Sequence, residues 1–381
     1  MKYNLNDIAV ITSSKRIFAN EYKSSGIPFY RGKEITQLYN HKAFSDLLYI
    51  SEDKYNELIK NFGVPQENDI LITAVGTIGS LYLVGKNDKF YFKDGNLIWL
   101  KNIDKTKVIP KYLYYLLSTN ETQSLIDSIT IGSTQTALTI EGVKMLNFDF
   151  PELKVQQHIV DTIGSVDDLI EKNDKIIELT KRYIHQIYRS FDFNSTEKTL
   201  QDEFNISIGR TPPTKEHQWF DNGNYKWLSI KDMKIDGDFC FETSQYLTNE
   251  AVKKFNIPIV NPGDVLLSFK LTVGRIAISN YNMVTNEAIA CFKFKDESLR
   301  WYLYCYLNNC NFLNDANNTS SIGQAINSSI IKKYKFLKPS NEKLTEFNNI
   351  VKPLFNYVKT KREENIYLLQ SKQNLLKKYF G

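Results

Sequence analysis

The chain of 381 residues lacks the spacings from which small metal and redox sites are built. Its four cysteines, Cys240, Cys291, Cys305 and Cys310, all fall in the C-terminal half and form no Cys-x-x-Cys pair. That excludes a zinc ribbon or a thioredoxin-like motif and marks them as reduced core thiols. Only four histidines occur, His41, His158, His185 and His217, none at the spacing of a helical zinc site. There is no run of about 18 apolar residues to span a membrane, and Met1 to Val10 lacks the charged-then-apolar order of a secretion signal. No membrane partner is expected, and the expected location is cytoplasmic. Charge of one sign is also scarce: 48 Lys and Arg against 43 Asp and Glu leave +5. Such a balance permits nucleic acid as a partner without requiring it, because phosphate contacts depend on where the cations cluster.

Catalytic signatures are missing too. From Gly79 to Gly85-Lys86-Asn87 there are five intervening residues, whereas a phosphate-binding loop needs four and a Ser or Thr after the Lys. No Asn-Pro-Pro-Tyr-like tetrapeptide occurs, and Asn261-Pro262-Gly263 lacks its aromatic. Glu52-Asp53-Lys54 superficially echoes a nuclease, but no partner acid in a strand context accompanies it, and a solvated loop is expected there. No catalytic or metal-ligating residue is assigned.

What is present is a folded composition, 42% hydrophobic and 24% charged with 23 Tyr and 23 Phe, on a chain long enough for two or three domains. Above all, the chain is written twice. Asn68-Asp69-Ile70-Leu71-Ile72-Thr73 runs through Val75-Gly76-Thr77-Ile78-Gly79 into Ser80 to Val84, and 195 residues after Asp69 the pattern returns as Gly263-Asp264-Val265-Leu266-Leu267-Ser268, Leu271-Thr272-Val273-Gly274 and Arg275 to Ser279. Each copy is expected to form strand, Gly-containing turn and strand. Ile27 to Ile35 resembles Tyr225 to Met233, and Asp94 to Ile98 parallels Thr285 to Ile289. The aromatic stretches Tyr112 to Leu117 and Trp301 to Leu307 follow at helical spacing, as core rather than as base-stacking platforms.

After each globular half, Pro151 and Pro339 open a long helix. In the first, Ile159, Ile163, Val166, Ile170, Asn173, Ile177, Thr180, Ile184, Ile187 and Phe191 sustain a heptad seam. The equivalent positions of the second, 188 residues on, run from Phe347 through Val351, Leu354 and Val358 to Tyr379, and set Lys361 level with Asn173 as a register-fixing polar pair. Pro353 is expected to kink the second helix or to mark its effective start.

The order of these parts resembles that of type I restriction-modification specificity subunits. Pro151 to Asn173 resembles their central helix, Leu375-Leu376-Lys377-Lys378-Tyr379-Phe380-Gly381 occupies the place of their usual ending, and Gly132 to Leu138 and Ser321 to Asn327 fall where a second loop follows the hairpin. The usual proline pair before the helix is here a single Pro151 and Pro339-Ser340. The resemblance implies an α+β fold: two similar globular mixed α/β target-recognition domains separated by two long antiparallel coiled-coil helices, with pseudo-twofold symmetry. The expected boundaries are 1–150, 151–192 for the central helix, 193–338, and 339–381 for the C-terminal helix. It further implies a non-catalytic chain that reads a split target in double-stranded DNA. Two methyltransferase subunits and the restriction subunits would be its partners. This chain would bind no cofactor, with S-adenosylmethionine, ATP and magnesium carried by the partners. A helix of about 33 residues spans about 50 Å, roughly 15 base pairs of B-DNA. Deleting Glu342 to Gly381 is expected to abolish assembly with the methyltransferase while leaving the first globular domain folded.

Base edges are read by Arg, Lys, Asn, Gln, Ser and Thr on a rigid scaffold, and phosphates are held by Lys and Arg at the rim. The candidates in the first half are Lys15, Arg16, Arg31, Lys33, Thr77, Gln135 and Thr136, and in the second Arg210, Lys215, Ser229, Lys231, Lys270, Thr272, Arg275 and Gln324. Their recurrence at equivalent places in both halves sets them apart from ordinary solvated charges. Two other classes stay open: a coiled-coil scaffold that binds protein, and an enzyme with weak motifs. A specificity subunit of a related type II system is a variant of the first reading.

Overall fold

The computed structural model describes residues 1–40, 44, 46–132, 136–233, 238–270, 272–312 and 328–381. The chain forms two compact units, one of Met1–Glu171 with Tyr367–Gly381 and the other of Lys172–Ile366.

In the first unit the apolar run Ile70 to Thr73 is buried on both faces and becomes a central strand. Strands β1 (Lys2–Asn4), β2 (Val10–Thr12), β3 (Ile27–Tyr30), β4 (Leu48–Ile50), β5 (Ile70–Thr73), β6 (Leu81–Leu83), β7 (Tyr91–Phe92), β8 (Leu97–Lys101) and β9 (Asn147–Asp149) make three sheets. The largest has the order β2-β8-β5-β6 and is antiparallel throughout. A smaller sheet places β3 between antiparallel β4 and parallel β7. Strand β1 pairs with β9, closing the two ends of the globular part on each other.

The second unit repeats this plan. Its strands are β10 (Thr196–Thr199), β11 (Phe204–Ile208), β12 (Tyr225–Leu228), β13 (Phe239–Cys240), β14 (Gln245–Leu247), β15 (Ile259–Val260), β16 (Val265–Ser268), β17 (Ile276–Ser279), β18 (Met283–Thr285), β19 (Ile289–Phe294) and β20 (Lys335–Lys338). The large sheet is β11-β19-β16-β17-β13, which is the first unit's order with β13 added at the edge. In the small sheet β12 lies between antiparallel β14 and parallel β18, with β15 added beyond. Strand β10 pairs with β20 as β1 pairs with β9. The expected duplication is therefore one of topology: every strand of the first unit has its counterpart in the second, which adds β13 and β15.

Each large sheet is covered by the expected aromatic helix. Tyr112 and Tyr115 of Pro110–Leu117 and Trp301 and Tyr302 of Arg300–Asn309 are buried in their own cores, which rules them out as base platforms. The four cysteines are unbridged, three of them buried. Glu52-Asp53-Lys54 lies in no loop. Ser51 Oγ accepts the Lys54 N–H at 3.2 Å and caps a helix, Glu52–Asn61, whose first turn carries both acids, where the helix dipole favours them.

The central helix runs Leu153–Ser190 and the C-terminal helix Asn341–Phe380. Every predicted seam position from Ile159 to Phe191 is buried or half-buried, as the heptad requires. Within each unit the two helices lie antiparallel. In the first unit His158 meets Tyr379 and Lys372 pairs with Asp167 at 2.6 Å. In the second, Asn173 meets Asn365 and Tyr188 packs edge-on against Phe347. The expected level pair Asn173 with Lys361 does not form. Asn173 Nδ2 instead donates to Asn365 Oδ1 at 2.9 Å and to Glu364 Oε2 at 3.0 Å, while Lys361 pairs with Glu364 of its own helix at 2.6 Å. Adding a constant offset pairs parallel helices; in an antiparallel pair it is the sum of residue numbers that stays constant. The C-terminal helix begins well before Pro353 and continues through it, with Pro353 exposed and Val351 and Phe355 buried on the seam. The missing amide thus falls on the wet face, where water can serve the freed carbonyl.

The last turns of the C-terminal helix belong to the first unit's core. Leu375, Leu376, Tyr379 and Phe380 pack against it, with the Phe380 ring 5.1 Å from that of Tyr112.

Candidate nucleic-acid interface

The hairpin loops that carry Thr77 and Thr272 are held by one device. Thr73 Oγ1 donates to the Thr77 carbonyl at 2.5 Å and accepts the Ser80 N–H at 2.8 Å. Ser268 Oγ donates to the Thr272 carbonyl at 2.6 Å and accepts the Arg275 N–H at 3.0 Å. In both, the glycine at the fourth bend, Gly79 at φ 84° and Gly274 at φ 91°, returns its N–H to the strand carbonyl of residue 73 or 268. A buried hydroxyl on the strand thus freezes each loop, and Thr77 and Thr272 stand exposed at the tips. The sequence reading missed Thr73 and Ser268, whose signal was a hydroxyl ending an otherwise apolar strand.

A second recurring element follows the middle strand of each small sheet. After β3, Glu34 accepts the Arg31 N–H at 2.7 Å; after β12, Asp232 accepts the Ser229 N–H at 3.0 Å. These acid-capped turns present Lys33 and Lys231, both exposed. Asp232 is partly buried, which by itself would raise its pKa, but bonds from the Ser229 N–H, the Ser229 hydroxyl and the Ser244 N–H more than offset this and hold it below the ordinary 3.8.

The same turns consume some of the candidates. Arg31 is bidentate to the buried Glu34, at 2.7 and 3.1 Å, and also reaches the Asp46 carbonyl at 2.7 Å. Ser229 is bonded to Asp232 through its hydroxyl at 2.7 Å. Arg275 folds back on the carbonyls of Ile230 at 2.7 Å and Met233 at 3.0 Å, tying the hairpin to the capped turn. Burial lowers its pKa.

The remaining described candidates are exposed: Lys15, Arg16, Thr136, Arg210, Lys215 and Lys270, besides Lys33, Lys231, Thr77 and Thr272. The residues after Thr136 join the first hairpin, since Leu138 donates to the Ala74 carbonyl at 2.8 Å and Val75 bridges to Ala137. Arg31, Lys33, Thr77 and Thr136 therefore belong to one side of the first unit, where Gly32 abuts the Val75 carbonyl and Thr73. Lys15 and Arg16 line a cleft with Phe18 and Phe62. Gln135 and Gln324 fall outside the described residues.

Two units of one topology each present exposed hydroxyls and lysines on hydrogen-bonded loops at equivalent places, the mark of a duplicated domain. The model of the type I restriction modification DNA specificity domain matches residues 1–181 and again 194–370, so the chain belongs to that family as a specificity subunit. A Haemophilus influenzae protein provisionally assigned as a type I restriction enzyme specificity subunit is 33% identical over 167 residues, 43% of this chain and 40% of that protein. The match thus spans less than half the length of that relative. The MjaVIII specificity subunit of Methanocaldococcus jannaschii is 19% identical over 384 residues, 92% of this chain and 89% of that protein. Among solved structures, the type I restriction-modification S subunit from Mycoplasma genitalium has the same fold, with a TM-score of 0.58 at 16% identity over 100% of this chain and 96% of that one. Among the described residues no helix is long and apolar enough to cross a membrane.

Proposed function

We propose that this chain reads a bipartite target in double-stranded DNA, one half-site per unit, and that its long helices dock two methyltransferase subunits. The chain itself carries out no chemistry. The methyltransferases, with S-adenosylmethionine, modify the target, and restriction subunits using ATP and magnesium cut it when unmodified. The observation that carries this reading is the pair of equivalent loops, Thr77 with Thr272 and Lys33 with Lys231, on a shared scaffold whose other loops differ. Shared scaffold with divergent loops is what two different half-sites demand. Docking is supported by apolar side chains on the outward faces of the helices: Leu169, Leu179 and Tyr183 on one, Ile350, Tyr357 and Tyr367 on the other, each more than two-fifths exposed.

The test is exchange of residues 1–150 for the corresponding domain of another specificity subunit, with methylome sequencing of the host. One half of the methylated motif changes and the other is retained. An unchanged motif contradicts the reading. Binding to duplex DNA must also weaken steeply with salt, as displaced counterions require; salt-independent binding would favour the protein scaffold.

A further inference from the structure

We infer that a cation-aromatic corner, assembled from the same three pieces of chain in both units, reads base edges of the two half-sites, with Phe18 and Asn20 as determinants in the first unit and Trp219 and Lys254 in the second. This rests on the function proposed above and goes beyond it by naming the reading residues, none of which the loop and charge patterns had singled out.

The corner is assembled from three pieces of chain in each unit. A 3-10 turn, Ala19–Glu21 or His217–Trp219, precedes the small sheet, and the two turns begin 198 residues apart, the same offset as β3 and β12. The helix after the small sheet's antiparallel strand ends on Phe62-Gly63-Val64-Pro65 in one unit and Phe255-Asn256-Ile257-Pro258 in the other. In both, the residue after the Phe takes positive φ, 81° at Gly63 and 47° at Asn256, which turns the chain sharply, with Phe62 exposed and Phe255 half-buried. Lastly a cation from the segment after β2 or β11 closes on that Phe. Lys15 Nζ lies 5.1 Å from the Phe62 ring centre, and Arg210, 195 residues later, donates to the Phe255 carbonyl at 2.8 Å.

A second ring completes each corner. Phe18 is 60% exposed with the Arg16 guanidinium 5.5 Å above it. Trp219 stands edge-on to Phe255 at 5.4 Å, with Lys254 4.4 Å over its face. The first corner encloses a cleft of about 470 Å³ that Asn20 also lines. Its turn is rigid, because Glu21 accepts the Phe18 N–H at 2.8 Å and pairs with Lys54 at 3.1 Å.

The chemistry of the cleft is chiefly that of base reading. Its two carboxylates, Glu21 and Glu57, are both answered by Lys54 at 3.1 Å and Arg16 is 4.0 Å from Asp94, which leaves Lys15, over the Phe62 ring, as the lining cation without a carboxylate partner among the described residues and so the one that can hold a phosphate beside the base-reading rings. Exposed rings offer an apolar surface to a thymine methyl group. The Asn20 side chain, which makes no hydrogen bond among the described residues, offers the donor and acceptor pair that matches adenine N7 and N6. The first half-site should therefore contain an A·T pair at the position this cleft meets. The two corners carry their rings and polar groups at different positions, Phe18 before the first turn and Asn20 within it against Trp219 at the end of the second turn and Lys254 at the end of the helix, which gives each unit a different base preference.

The experiment is selection of bound sequences from a randomised duplex library by the full chain, compared for wild type, F18A/N20A, N20D and W219A/K254A. The wild type selects two half-sites. F18A/N20A loses about tenfold preference at one or two adjacent positions of one half-site and leaves the other intact. N20D, which conserves shape and turns the amide into an acceptor, moves preference at that position from A toward C. W219A/K254A relaxes the other half-site. Variants that select the wild-type motif, or that lose affinity uniformly for all sequences, overturn the inference while leaving the bipartite reader standing; a wild-type chain that selects no sequence overturns both.

Discussion

Arg362 is the residue whose removal should most damage the second unit. Its guanidinium is bonded twice to the carboxylate of Asp238, whose side chain is 6% exposed, and once to Asp174 at 3.3 Å. Arg362 sits on the C-terminal helix and Asp238 at the start of β13, so the pair ties the edge of the large sheet to the helices. Truncation in R362A leaves a buried carboxylate whose nearest remaining cation is Lys181 at 3.8 Å. Breaking a buried pair from one side costs about 3–5 kcal/mol, and Lys181 should reduce this toward the lower end, about 3 kcal/mol. Removing both charges in D238L/R362L should cost far less than the sum of the single changes, because no charge is then left unanswered, and the cycle should return a coupling of about 2 kcal/mol or more. Urea unfolding followed by tryptophan emission measures it. Trp219, Trp227 and Trp301 all lie in the second unit, Trp301 stacks on Phe355 of the C-terminal helix at 4.6 Å, and W99F silences the first. A loss below about 1 kcal/mol in R362A, or additivity in the double variant, would refute the argument that the burial of Asp238 makes this pair costly to break.

Two other outcomes follow from particular contacts. Asn at position 232 loses one of the three bonds that Asp232 accepts, so D232N should cost about 1–2 kcal/mol at pH 7. Because the folded-state pKa lies below the unfolded 3.8, wild type holds its advantage above that value and loses it as the pH falls through the folded pKa; urea titrations at stepped pH should show the two proteins converging in acid. Truncation after Ile366 strips Leu375, Leu376, Tyr379 and Phe380 from the first unit's core, so the first unit, expected to stay folded without the last helix, should melt lower by many degrees. An unchanged first-unit transition in calorimetry would show those contacts to be dispensable.

Much of this molecule was legible in its letters because duplication and periodicity are one-dimensional properties. The 195-residue repeat placed both hairpins, the heptad from Ile159 to Phe191 placed the long helix and its buried face, and Tyr112, Tyr115, Trp301 and Tyr302 were core by spacing alone. What the letters could not carry was pairing across space. Whether Asn173 answers Lys361 or Asn365 depends on which way the second helix runs, and strand alternation does not say that β3 should pair in parallel with β7. Nor can a cation's spacing reveal its partner: Arg31 and Arg275 look as free as Lys231 until folding brings Glu34 and the Ile230 and Met233 carbonyls within bonding reach. Local pattern decides what a segment becomes, since backbone geometry repeats along the chain. Which polar group stays available to a partner is settled only when distant segments meet, since a hydrogen bond or ion pair is short-ranged and indifferent to sequence separation.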